Sequence, residues 1–496
     1  MGVLRLTRTA LAVVLGGALT LLFLDFSGTI HTYFGWMAKI QFLPALLAVN
    51  VVVVAALILV TLLLGRIYCS VVCPLGIFQD VVSRISRRVI KRRQSYSPEK
   101  KWWRYSVLAL FVAAIAAGLG SVMALLDPYG IFGRMAAQLL SPIYLWSNNF
   151  LAYMAERTDS YLFYHVDVWL TGLGTLLVAV VSALLIGYLA WRNGRTYCNT
   201  ICPVGTVLGV VSRFSLFKHR FNTETCNSCG LCARDCKASC IDSKNKVIDY
   251  SRCVTCFNCI DVCNKNAMRY GLPIKKKPVE DASESQVDMG RRGMLTVSAA
   301  LIATATIKAQ EMKMDGGLAV IEDKQVPPRQ MHIVPPGAQS IRNFSQKCVG
   351  CQLCVTQCPN QVLRPSTDLL RLMQPEMSFE RGYCRPECTR CSDVCPSGAI
   401  ERIDTAQKSA TQIGHAVWIE KNCVVLADGV FCDNCARHCP VGAIQMVARE
   451  AGVADSPKTP VVDTERCIGC GACENLCPAR PFSAIYVEGH CMHRIV

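Results

Sequence analysis

Cys348-Val349-Gly350-Cys351-Gln352-Leu353-Cys354-Val355-Thr356-Gln357-Cys358-Pro359 is the stretch on which the reading of this chain turns. A CxxCxxC loop wraps one cubane with three thiolates, and a fourth cysteine three residues on, before a proline, points to a neighbouring cluster. Three variants follow downstream: Cys384, Cys388, Cys391, Cys395; Cys423, Cys432, Cys435, Cys439; and Cys467, Cys470, Cys473, Cys477. Pro359, Pro396, Pro440 and Pro478 close the four quartets. The pattern predicts four [4Fe-4S] clusters. Zinc ribbons lack the third cysteine and the Cys-Pro ending, disulfide frameworks belong to small secreted domains, and no CxxCH marks a covalent haem. Sequential pairing would join Cys348, Cys351 and Cys354 with Cys395, and Cys384, Cys388 and Cys391 with Cys358. A nested pairing of first quartet with fourth stays open, because the gaps of 26 to 28 positions between quartets are alike.

Two further quartets lie upstream, Cys226, Cys229, Cys232, Cys236 and Cys253, Cys256, Cys259, Cys263. Crossed ligation would build one cluster from Cys226, Cys229, Cys232 and Cys263 and another from Cys253, Cys256, Cys259 and Cys236. Lys237 and Asn264 stand where a ferredoxin carries proline, and Cys240 and Cys491 are read as ordinary thiols.

The N-terminal region is of another kind. The chain is 52% hydrophobic, and four apolar runs, 9–24, 42–64, 105–126 and 168–190, approach or exceed the roughly 20 residues that span a bilayer. The net charge of +16 is uneven: residues 1–310 hold 33 basic and 16 acidic side chains, residues 311–496 hold 19 and 20. Ten Lys or Arg fall in the loop 65–104, against one in 25–41 and two in 127–167. A nucleic-acid binder carries its excess on a folded face, whereas short basic loops beside apolar runs report topology, here with both ends of a four-helix unit inside the cell.

Gly65-Arg66-Ile67-Tyr68-Cys69, ending in Cys73-Pro74, recurs 129 residues later as Gly194-Arg195-Thr196-Tyr197-Cys198, ending in Cys202-Pro203. Copies of one orientation bring Cys69, Cys73, Cys198 and Cys202 towards one place. Three roles stay open there: a metal or cluster additional to the six, two redox-active dithiols, or structural thiols. Asp25, His31, Asp127 and His165, on the outward side, are candidate proton acceptors for a quinol. Each has a plainer reading, since Asp127-Pro128-Tyr129-Gly130 is an ordinary turn sequence and Asp25 sits where a helix must end. Between the two cysteine-rich regions, Arg291-Arg292 ahead of a modest apolar stretch reads as a twin-arginine export signal that would act, if retained, as a fifth helix.

Residues 1–272 resemble NapH, the membrane quinol-dehydrogenase component of periplasmic nitrate reduction, whose core also occurs in the NosR and CcoG/RdxA families. Residues 288–496 resemble NapG, its exported partner, and MauN and MauM of amine oxidation look similar. The resemblance implies a multi-domain membrane protein: a four-helix unit of two hairpins (1–192), a CxxxCP segment with an α+β ferredoxin-like domain holding two cytoplasmic clusters (193–272), a linker with the signal or fifth helix (273–310), a spacer (311–340), and a second ferredoxin-like domain holding four periplasmic clusters (341–496). It implies oxidation of menaquinol or ubiquinol at the bacterial inner membrane, with electrons passing to a periplasmic cytochrome or reductase, and other membrane electron-transfer subunits as partners. A relay from a cytoplasmic donor and a maturation factor that reduces metals or disulfides are the alternative expectations.

Overall fold

A computed structural model describes residues 2–90, 95–160, 162–168, 172–223, 225–272, 322–450, 453 and 456–496. The twin-arginine stretch and the fifth helix expected within 273–310 lie outside these residues.

The molecule is arranged along α1 (Val3–Leu24). Arg8, Ala12, Gly16, Leu19, Leu22 and Phe23 recur at three- and four-residue steps and form its buried stripe, while Leu11, Val13, Val14 and Leu21 on the other side are exposed. Among the described residues two helices are long and apolar enough to cross a membrane, α1 and the later Leu173–Asn193.

The other two apolar runs are broken. The run 42–64 divides into α2 (Phe42–Leu47) and α3 (Val51–Leu64), parted at Val49, whose φ is 55°. Asn50 then caps the new helix by accepting the Val53 N–H at 3.2 Å. After α4 (Pro74–Val89), the run 105–126 divides into α5 (Lys101–Ala117) and α6 (Gly120–Leu126) at Gly118, whose φ of 74° ends the first piece. Residues 127–167, expected as loop, contain α7 (Pro128–Met135) and, after a π turn, α8 (Ser141–Glu156). Two helices complete this unit, α9 (Leu173–Asn193) and α10 (Pro203–Ser212). The repeats exchange partners: α4 of the first packs on α9 of the second, and α10 of the second on α3 of the first.

The two-quartet domain follows, with Lys218–Phe221 paired antiparallel to Met268–Gly271 and a small ladder of Ile241–Asp242 with Val247–Ile248. It sits at the start of α1, where the Gly2 N–H and Arg5 both meet the Asp261 carboxylate. The four-quartet domain sits at the other end, where Gln357 donates to the Asp25 carbonyl. Twenty-two helical residues at about 1.5 Å each separate those contacts by about 33 Å.

Among the described residues the four-quartet domain has three antiparallel ladders, Leu363–Pro365 with Pro375–Met377, Thr411–Trp418 with Ile485–Ile495, and Ile444–Ala448 with Lys458–Val462. Helix α7 lies on its first cysteine loop, so closely that a Cβ on Gly130 or Gly133 would collide with the Val349 or Cys351 carbonyl. Part of the expected spacer belongs to this domain. Ile333, Val334 and Ala338 are buried, and Lys324 Nζ donates to the carbonyls of Glu474, Asn475 and Cys477 at 2.7, 2.7 and 3.0 Å. One hydrophobic core runs from the helices into the first half of this domain, and its second half and the two-quartet domain each have their own.

Candidate functional site

The strict CxxCxxC loops share one backbone course. Two left-handed residues bracket the second cysteine in four quartets: Ser228 and Gly230, Thr255 and Phe257, Gly350 and Gln352, Gly469 and Gly471. Alternation of this kind turns successive N–H groups inward and makes a concave, anion-favouring cradle.

The crossed sets meet in space. Cys226, Cys229, Cys232 and Cys263 line a cavity of about 150 Å³. Cys348, Cys351, Cys354 and Cys395 line another, and Cys358, Cys384, Cys388 and Cys391 a third, so the first two C-terminal quartets are juxtaposed sequentially and not nested. Cys259 is flanked by Cys256, Cys253 and Cys236. Burial, followed by the neighbouring thiols Cys432, Cys477 and Cys423, pushes Cys435 up to about 12. Burial, followed by Cys467 and Cys439, does the same to Cys470. Thiols so crowded ionise together only with a cation among them, the condition for iron ligation. Backbone N–H groups already point at the fourth sulfurs: Ile400 at Cys395, Ala443 at Cys439 and Ala484 at Cys477, at 3.4, 3.2 and 3.3 Å. Among the described residues no three metal-ligating side chains close on a single ion. The crossed sets of four gathered thiols supply the number and kind of ligands that a cubane takes. Cys240 is fully buried with its sulfur 3.6 Å from that of Cys236, a fifth thiol beside that quartet.

Cys69, Cys73, Cys198 and Cys202 are also brought together, each 3–4% exposed. Proline starts α4 and α10 directly after Cys73 and Cys202, which places both cysteines at helix N-termini. Two arginines cross between the repeats: Arg66 donates to the Cys198 carbonyl at 3.3 Å and Arg195 to the Cys69 carbonyl at 2.6 Å. Gly76 and Gly205 make room, since a Cβ on either would strike the Cys69 or Cys198 carbonyl. Arg195 also pairs with Asp80, which holds Arg8 and Lys237 as well at 3.0 Å each. Burial alone would raise the Asp80 carboxyl, and Arg195, Lys237 and Arg8 more than offset it, holding it well below the usual range.

The outward candidates separate into three cases. Asp25 and His31 come together: the Asp25 carboxylate accepts the N–H groups of Ser27, Gly28 and His31 at 3.1, 2.9 and 3.1 Å. His31 lines a cavity of about 580 Å³ between residues 27–39 and the four-quartet domain, opposite Arg390, Asp393 and Arg402. Burial and Lys39 hold its imidazole below the ordinary value, and its Nδ1 is buried without a partner. Asp127 is fully buried as the cap of α7, accepting the Gly130 N–H at 2.6 Å through one oxygen while the other has no partner. His165 is exposed, on a segment tied by its neighbours Tyr164 and Val166 to Asn148 and Asn149. Sequence reasoning passed over Arg66 and Arg195, although both stand at the same place in the repeat, and over Arg390 and Arg402, which no local pattern marks.

Comparison with known proteins agrees with the cysteine chemistry. A family described as a 4Fe-4S binding domain matches residues 46–93 and 173–224, segments whose cysteines are Cys69 and Cys73 and then Cys198 and Cys202. A family described as a 4Fe-4S dicluster domain matches 347–399 and 429–480. The chain is 29% identical over 168 residues to the methylamine utilization ferredoxin-type protein MauM of Methylobacillus flagellatus, 32% of this chain and 70% of that protein. To MauM of Methylophilus methylotrophus it is 31% identical over 170 residues, 32% of this chain and 72% of that protein. To the ferredoxin-type protein NapG of Escherichia coli it is 29% identical over 150 residues, 29% of this chain and 64% of that protein.

Proposed function

The chain belongs to the family of ferredoxin-type proteins that includes MauM, through an alignment over 32% of its length, and from that premise we propose that it is a membrane-anchored electron carrier that oxidises a quinol on the outer side of the bacterial inner membrane. Bound iron–sulfur clusters supply one-electron transfer, with iron held by the 24 cysteines of the six quartets. The residues deliver the rest.

The cavity at His31 carries the reading. It lies between the α1–α2 connection and the segment bearing Arg390 and Val394, which alternates with Cys391 and Cys395. A quinol seated there would stand beside two quartets. It must lose two protons with two electrons, and a neutral His31 is placed to accept one. Arg390 and Arg402 would orient the oxygens of the ring. Trp36 offers an apolar wall.

Four membrane spans, two of them interrupted, account for the apolar exposed faces of α1, α3 and α9. The basic loop 65–104 would lie in the cytoplasm with the two-quartet domain, and the four-quartet domain, at the far end of α1, in the periplasm. The acceptor would be a periplasmic cytochrome or reductase. Such export requires the signal at Arg291-Arg292.

Anaerobically purified protein treated with menadiol is expected to show cluster reduction, and His31→Gln with Arg390→Gln to slow it at least tenfold. Reduction by dithionite alone would sink the quinol reading. A deletion strain separates the maturation alternative: an intact partner reductase that accepts artificial donors supports respiratory transfer, and an apo-reductase supports maturation.

A further inference from the structure

The repeat cysteines sit in a pocket of buried positive charge. Arg8, Arg66, Arg104, Arg195 and Lys237 are all at most 6% exposed, and the carboxylates paired with them are Asp80 and Glu99. Five cations against two anions leave an excess of three. Arg66 is the extreme case. It is fully buried, has no carboxylate partner among the described residues, and meets Asn199 Oδ1 at 3.1 Å, the Ser251 carbonyl at 2.9 Å and the Cys69 sulfur at 3.7 Å. Its Nε and Arg195 Nη2 have no hydrogen-bond partner. A buried charge without a counter-charge is strongly destabilising, so this arrangement calls for anions at the sulfurs.

The donors around those sulfurs say the same. Gln79 Nε2 donates to Cys198 Sγ at 3.2 Å, the Gly205 N–H to Cys202 Sγ at 3.3 Å, and Arg195 lies 3.9 Å from Cys198 Sγ. Neutral thiols or disulfides would leave the cations uncompensated. Four bare thiolates would repel one another. Four thiolates round an oxidised iron–sulfur core carry a net charge of about −2 by formal count of the ligands, which offsets two of the three positive charges in excess.

We propose that Cys69 and Cys73 of the first repeat and Cys198 and Cys202 of the second jointly hold one iron–sulfur cluster, neither repeat having enough ligands alone. The site has contacts in both directions. Inward, Arg66 reaches the Ser251 carbonyl, two residues before Cys253, and Asn199 reaches the Ala238 carbonyl, two residues after Cys236. Outward, Tyr197 Oη donates at 2.9 Å to the Leu126 carbonyl, next to the cap of α7, the helix that lies on the Cys351 loop. The centre thus lies between the two-quartet domain and the helix that packs on the four-quartet domain, the place of a relay between them. It takes one electron and gives one, with no bond made or broken and no proton moved. Its ligation does not depend on the quinol reading, although its direction of transfer does.

The test uses the full chain, purified anaerobically in detergent, with Cys73→Ser and Cys198→Ser made separately. Both variants are expected to lose the same one cluster's iron and the same paramagnetic resonance signal, while the remaining signals persist. Unchanged iron and spectra in both, or loss of two different signals, would overturn the proposal, as would a Cys69–Cys73 or Cys198–Cys202 disulfide in iron-replete protein. Should neither variant accumulate, Arg66→Gln decides, since it keeps all four thiols: the midpoint potential of one signal is expected to fall, and no shift at any signal overturns the assignment. If menadiol reduces nothing while the shared signal is present, the quinol reading fails and the cluster stands. If the shared signal is missing while menadiol reduces the others, the reverse holds.

Discussion

Lys237 occupies the position after Cys236 where a ferredoxin carries proline, and the structure gives the reason: its ammonium reaches Asp80 on α4, and its carbonyl accepts the Arg195 N–H at 3.0 Å. A departure that weakens a local turn thus adds to the contacts that dock the two-quartet domain on the helices. Asp80→Ala would strand three buried cations and is expected to destabilise the protein by about 3–5 kcal/mol, read as a lowered melting temperature in detergent. Lys237→Pro restores the usual ferredoxin residue, yet should speed proteolysis between residues 213 and 217, where the domain joins the helices. His31 carries a pH prediction. Because its value is lowered, the ring is neutral at and above neutral pH and is free to accept a proton. Quinol oxidation should therefore decline as pH falls through that lowered value, and His31→Gln should abolish this acidic limb while leaving cluster content unchanged.

Among the elements, hydropathy located all four apolar runs but not the interruptions in two of them. Val49-Asn50 and Gly118 lie inside runs apolar on both sides, and a single residue at positive φ with a new cap is enough to end one helix and start another. Helix α7 was hidden for a related reason, since Asp127-Pro128 serves equally as a turn and as a helix start. Its seat on the Cys351 loop depends on two small residues. Gly130→Ala and Gly133→Ala should each cost about 1–3 kcal/mol through overpacking, and should disturb the signal of the cluster proposed for Cys348, Cys351, Cys354 and Cys395 before any other, as measured by paramagnetic resonance.

In the whole molecule, the helices and the first half of the four-quartet domain share a single core that includes Phe23, Tyr129, Phe132, Val349 and Phe379. Burial of that kind holds non-consecutive segments together without the connecting chain. A protease site inserted between 273 and 321 should therefore yield two fragments that still co-purify. Separation of the fragments on size exclusion, without denaturant, would contradict the shared core. A chain ending at 272 should expose α6 and α7 and melt lower than the intact protein.

Loop-level chemistry was legible in the residues alone: the six quartets, the recurring CxxxCP motif and the apolar runs follow from spacing, because a cubane loop and a helix face are built by neighbours in the chain. Which quartet meets which, how Arg66 and Arg195 cross between the repeats, and that His31 faces Arg390 were decided by packing. Those relations join residues far apart in the sequence, and the buried charge and close backbone approach that enforce them exist only once the helices and the two cysteine domains are assembled.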